Sequence, residues 1–182
     1  MKIVYRITMH LALFLLLSFI AQFAAGGKQQ TKRVIKGNGY TLTQSRNSEP
    51  FTKVEVSGNI TLFIAQGEPL PIKITADDNL FPYIITDVKD GTLYIHFDDS
   101  VELTHAKGTS VQIAIPTVEY IGADMGAKVV SANELNAKIL KINALNNAEI
   151  KIKGEVDTLY RHSGSGGILN YKKIVAQHSE DY

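Results

Sequence analysis

The chain has 182 residues, with 19 Lys or Arg against 18 Asp or Glu, and no Cys. Without cysteine there is no disulfide framework and no thiolate metal site. The near-neutral balance, with no basic block, excludes the clustered Lys and Arg that nucleic-acid binding needs, so no nucleic acid is expected as a partner.

At the N-terminus, Lys2 and Arg6 precede an apolar run from Leu11 to Phe23, broken only by Ser18 and Gln22. Ala24, Ala25, Gly26 and Gly27 follow. This is the layout of a cleavable secretory signal over residues 1–26. The run falls short of the ~20 apolar residues of a membrane span. Cleavage after Gly26 places Ala24 and Gly26 at the two small-residue positions, whereas cleavage after Ala25 would put Phe23 at one of them. Loss of Lys2 and Arg6 leaves 17 basic against 18 acidic residues, a formal charge of −1. An exported chain without a lipobox cysteine is expected in the periplasm or on a bacterial cell surface.

Residues 27–50 form a polar lead-in whose large apolar residues are Val34, Ile35, Tyr40 and Leu42. One edge strand is expected around Tyr40 to Thr43, and Pro50 ends the segment. From Phe51 onward, residues 51–182 read as one β domain. Val54 and Val56 alternate with polar neighbours, and Ser57-Gly58-Asn59 is turn chemistry. Ile60, Leu62 and Ile64 resume the alternation, followed by Ile72 and Ile74, by Leu93, Ile95 and Phe97, and by Val111, Ile113 and Ile115. Period two places one set of side chains on a core face and the other toward water. Asn79 to Val88 reads as a loop or short helical turn, weakened by Pro82.

After Pro116 the strands shorten and three segments align on Ala127, Ala148 and Gly167, spaced by 21 and 19 residues. Spacing near 20 is a repeat signature. Units this short cannot bury themselves, but stacked coils cover one another. The fold class expected is therefore all-β: a right-handed parallel β-helix-like repeat with a strand-rich N-terminal part. Val129, Ile150 and Leu169 would form an inward column. Gly126, Asn147 and Gly166 would form a corner column, where residues tolerant of positive φ fit. Second apolar groups are read at Leu135 and Ile139, at Val156 and Leu159, and at Ile174 and Val175. Asn136, Asn143, Asn146, Asn147 and Asn170 could stack as ladders between coils. An antiparallel meander is the competing reading.

A search for chemistry yields no catalytic, cofactor-binding or metal-binding residue. His96, His105, His162 and His178 lack ligand spacing and read as surface residues; His96 should point outward between Ile95 and Phe97. Ser165 lacks the first Gly of a nucleophile elbow, and no helix follows it. Asp77-Asp78-Asn79 and Asp98-Asp99 are acidic clusters that suit loop solvation as well as calcium. No cofactor is expected.

Several of these segments resemble the bacterial head GIN family of adhesin-like proteins. They are the run from Phe51 to Gly67 (FTKVEVSGNITLFIAQG), the strand Leu93 to Phe97 after Asp90-Gly91, the segment Val111 to Pro116, and the corner Ser163-Gly-Ser-Gly-Gly167. The resemblance runs from about Phe51 to Gln177. It implies a right-handed β-helix, a surface or periplasmic location, an adhesive or scaffolding role, and no established catalytic residues. Two departures stand out: the first two corners lack the Ser-Gly-Ser-Gly form, and Tyr182 follows soon after the third unit. An incomplete last coil would leave an open β edge for self-association.

The expected function is thus a non-catalytic exported module for adhesion, scaffolding or envelope-associated binding, with a cell-surface glycan or an envelope protein as partner. The alternative is a polysaccharide-binding or polysaccharide-cleaving protein on the same scaffold. That alternative requires a groove lined by Asp, Tyr and Lys, and a smooth face of Lys, Asn and Thr would oppose it.

Overall fold

In a computed structural model, residues 31–104 and 106–182 are described. The signal predicted over residues 1–26, its cleavage site and His105 lie outside them. The strands are β1 (Arg33–Lys36), β2 (Thr41–Arg46), β3 (Lys53–Ser57), β4 (Ile60–Gln66), β5 (Leu70–Asp77), β6 (Ile84–Lys89), β7 (Thr92–Phe97), β8 (Val101–Thr104), β9 (Thr109–Ile115), β10 (Tyr120–Asp124), β11 (Lys128–Ser131), β12 (Leu135–Ala144), β13 (Glu149–Ser163) and β14 (Ile168–Asp181). A 3-10 helix, Asp78–Tyr83, precedes β6. Twelve strands form one sheet curled into a half-barrel, in the order β2-β5-β9-β4-β11-β13-β12-β10-β3-β7-β6, with β14 beside β13. β1 and β8 make a separate parallel pair.

The alternation read from the sequence decides what is inside. Val54, Val56, Ile60, Leu62, Ile64, Ile72, Ile74, Leu93, Ile95, Val111, Ile113 and Ile115 are all buried. Each such side chain contributes about 1.5–3 kcal/mol on burial. The repeat register holds as well. Val129 is opposite Ile150, and Ile150 is opposite Leu169, in parallel pairing. The column continues upstream through Leu62 and Val111. A second inward column runs through Leu93, Val54, Ile121 and Ile142. β13 links the two: residues 149–151 pair with β11, and residues 154–163 pair with β12.

The corners recur in register too. Met125-Gly126, Asn146-Asn147 and Ser165-Gly166 are consecutive pairs at positive φ. The same backbone turns the β6–β7 hairpin at Asp90-Gly91. Each repeat corner closes with an i to i+3 hydrogen bond: Ala127 N–H to Asp124 O (3.0 Å), Ala148 to Leu145 (2.9 Å) and Gly167 to Gly164 (2.9 Å). Successive corners also bond to each other, Gly126 N–H donating to Asn146 O and Asn147 N–H to Ser165 O. This accounts for the column of Gly126, Asn147 and Gly166.

Four expectations need correcting. The second apolar groups are not Ile139 and Val175, which are 52% and 68% exposed. The inward parity changes between Ala137 and Leu140, so Leu135, Leu140 and Ile142 are inward on β12, and Ile174 and Ala176 are the core-packing residues on β14. The asparagines do not ladder. Asn136, Asn143 and Asn170 face Glu155, His162 and Lys151 across the register, and Asn146 donates instead to Asp124 Oδ1 (2.7 Å). The Asn79–Val88 region holds the 3-10 helix and then a full strand, β6, paired antiparallel with β7. The edge strand near Tyr40 runs to Arg46, beyond the expected Thr43, and is antiparallel to β5. Arg46 secures it, donating to the carbonyls of Ile84 (2.6 Å) and Phe81 (2.9 Å) and to Thr86 Oγ1 (3.1 Å).

The second inward column ends on a polar group. Arg161 follows Ile142 in register. Its guanidinium pairs with Asp181 (3.0 Å), bonds the Tyr171 hydroxyl and lies 4.7 Å from the centre of that ring. A charged, aromatic cluster thus ends this column, with Asp181 opposite Arg161 in register.

Candidate functional site

The outward side of β7, β3, β10, β12 and β13 carries two neighbouring rows. One runs Tyr94, Glu55, Gly122, Asn143, His162. The other runs Lys53, Tyr120, Lys141, Tyr160, Glu180. Side chains two residues apart on a strand share a face, so the rows lie side by side. Gly122 interrupts the first row, and the Tyr120 hydroxyl occupies its space. A Cβ at Gly122 would lie 2.7 Å from that oxygen and 3.1 Å from Glu55 Cγ. A mid-strand glycine here marks the close approach of another group, the Tyr120 phenol.

A cleft of about 340 Å³, the lower end of small-ligand sites, opens over this point. Glu55, Tyr94, His96, Asp99, Tyr120 and Asn143 line it, together with Asp124 and Leu145. Burial pushes the Tyr120 phenol up to about 12; the Asn143 amide opposes the shift and the Glu55 carboxylate adds to it. Asn143 Oδ1 is buried without a hydrogen-bond partner. His96 donates Nδ1–H to the Phe97 carbonyl (2.9 Å), because a carbonyl can only accept. In the neutral ring Nε2 is then an acceptor.

A second groove, of about 690 Å³ and again within the small-ligand range, lies on the other side of Tyr120 and carries Lys53, Lys138 and Lys141. Tyr120 therefore separates an acidic cleft from a basic one.

The remaining sequence candidates are spread out and mostly engaged in structure. Asp78 accepts from the Asn38 side chain. Asn79 accepts from Asn38 N–H (3.2 Å) and donates to Lys36 O (2.9 Å). Buried Asp77 accepts from Lys107 N–H (3.3 Å). This acidic cluster fastens the lead-in to the body. Asp98 accepts from Ser100 N–H (2.8 Å), and hydrogen bonding from the Ser100 side chain first and its backbone second holds its carboxyl below the usual range. His162 donates Nδ1–H to Tyr182 O (2.5 Å), and His178 is exposed on β14. Ser163 and Ser165 flank a tight corner that leads into β14, not a helix. Among the described residues no three His, Asp or Glu side chains converge as metal ligands. The sequence reading missed Glu55, Tyr94, Tyr120 and Gly122 as a group. The available signal was a glycine two residues after a tyrosine within a strand.

A family profile described as "putative auto-transporter adhesin, head GIN domain" matches residues 50–173. Among solved structures, a protein from Parabacteroides merdae described as a putative adhesin is similar at 26% identity and TM-score 0.72, over 79% of this chain and 61% of that one. A second such adhesin, from Parabacteroides distasonis, is similar at 22% identity and TM-score 0.69, over 81% and 66%. A protein from the same organism described as a putative lipid binding protein is similar at 19% identity and TM-score 0.67, over 79% and 63%. The chain spans less than two thirds of the length of these three proteins. The last two likenesses show the fold alone. No curated protein matches.

Proposed function

Because the chain belongs to the head GIN adhesin family, we propose that it is a non-catalytic exported module of the bacterial surface or periplasm, serving adhesion, scaffolding or envelope-associated binding. One observation carries this reading: polar rows stand in register on the outer side of a stacked, densely buried core. Such a surface presents groups in fixed positions, which recognition of a partner needs. A signal over residues 1–26, a lead-in over 27–50 and a head over 51–182 complete the proposed organisation. The stacked coils read best as a right-handed parallel β-helix, a reading the 21- and 19-residue register supports. The partner class is a cell-surface glycan or an envelope protein. Among the described residues the second edge of β14 carries no strand, which supports self-association by strand pairing.

The test is to produce the full chain in a Gram-negative host, fractionate the cells, and measure adherence of beads coated with the purified product to bacterial envelopes. The expected result is a processed protein starting at Gly27 outside the cytoplasm, and saturable adherence. Cytoplasmic retention, or beads no stickier than albumin-coated controls, would contradict the proposal.

A further inference from the structure

We propose that the acidic cleft over Gly122 is a saccharide subsite for a neutral or amine-bearing sugar, and that it disfavours uronic and sulfated sugars. This rests on the reading of the protein as a binding module and names the ligand chemistry of one place on it.

Three observations meet here. The first is shape and surface. The cleft has the volume of a small-ligand site, about 340 Å³. Tyr94 on β7 and Tyr120 on β10 line it from either side of β3, and phenol rings offer an apolar face with a polar edge. A sugar ring has the matching character, with C–H faces and a hydroxyl rim.

The second is unused acceptor capacity. Asn143 lines the cleft, and its Oδ1 is buried with no partner. Glu55 and Asp99 take part in no ion pair among the described residues. The neutral His96 ring presents Nε2 as a further acceptor once its other nitrogen is committed to Phe97. The cleft is thus rich in acceptors, and a ligand bearing several O–H or N–H donors satisfies them.

The third is the sign of the charge. The lining contains Glu55, Asp99 and Asp124 and no Lys or Arg. Asp124 is committed to its corner, accepting from Met125 N–H (2.7 Å) and Asn146 (2.7 Å). The nearby lysines, Lys53 and Lys141, belong to the groove beyond Tyr120. A carboxylate or sulfate placed in the cleft would face like charges, and such juxtaposition is a specificity device in itself.

The test is calorimetric titration of the purified full chain with N-acetylglucosamine oligomers, glucosamine oligomers and oligogalacturonate. The first two should bind saturably, and the uronate at least about tenfold more weakly. Glu55→Gln, at an exposed position, should weaken the amine-bearing oligomer about tenfold and the neutral one by less than about threefold. Tyr94→Ala should weaken both about tenfold. Lys138→Ala, in the other groove, should change neither. Should Tyr94→Ala prove unfolded by circular dichroism, Glu55→Gln still decides the matter.

Failure of both non-uronic oligomers to bind would overturn the proposal, as would equal binding of oligogalacturonate or wild-type affinities in the two cleft variants. If sugars fail to bind while coated beads still adhere, this inference alone is lost. If sugars bind and beads do not adhere, the adhesive reading is what fails.

Discussion

β13 and β14 are neighbouring parallel strands of nearly equal length, yet their interiors differ. Along β13 Ile150, Ile152, Val156 and Leu159 are buried; along β14 no residue is, and Leu169, Tyr171, Ile174 and Ala176 are only partly covered. The inward pattern is shared in part: Ile150 faces Leu169 and Val156 faces Ala176, whereas Leu159 faces Ser179. β13 has β11 and β12 on one edge and β14 on the other, whereas among the described residues β14 pairs with β13 alone. Burial in this fold therefore follows the coverage supplied by adjacent strands. The Arg161, Tyr171 and Asp181 cluster forms where that coverage runs out.

The largest expected effect is at Gly154 on β13. Its φ is +144°, and an added Cβ would lie 2.0 Å from the Leu135 carbonyl oxygen. Gly154→Ala should cost more than about 4 kcal/mol in urea denaturation, since backbone on both sides must move. Next comes a comparison within one column. Ile150→Ala, at a fully buried site, should cost about 2–5 kcal/mol, and Leu169→Ala, one coil further out, less than half as much. Equal costs would break the contrast between the strands.

A smaller effect concerns pH. The Tyr120 phenol ionises near its ordinary value when unfolded and at about 12 when folded. The folded chain holds this proton more tightly, so the contribution is complete below pH 10 and is lost as pH rises from 10 to 12. Melting temperature should fall more steeply across that window for wild type than for Tyr120→Phe, and absorbance at the phenolate band should show a late-titrating tyrosine that the variant lacks. At the bottom of the scale, Val175→Ala on β14 should change stability by less than about 0.5 kcal/mol, because the side chain is already 68% exposed.

Much of this contrast was legible in the residues. Alternation identified the inward residues of β3, β4, β5, β7 and β9, because one buried face forces period two on a strand. The column of Val129, Ile150 and Leu169 followed from spacing, because segments of near-equal length bring successive parallel strands into register. The parity error at Ile139 and Val175 arose where the inward parity changes along the strand, which spacing cannot locate. β6 escaped notice because Pro82 belongs to the 3-10 helix before it, not to the strand. The cleft was illegible for a different reason. Its residues come from strands far apart in the chain, and outward positions follow no hydrophobic rule. Gly122 has meaning only once Glu55 and Asn143 lie beside it. Arg46 and Arg161 likewise look like ordinary surface charges until their carbonyl and tyrosine partners are seen.

Native-state amide hydrogen exchange tests the central claim, burial by stacking, most directly. The account predicts slow, globally limited exchange for β4, β11 and β13, and markedly faster exchange along β14 for amides bonded only to β13. Protection of β14 equal to that of β13 in a monomeric sample would contradict it.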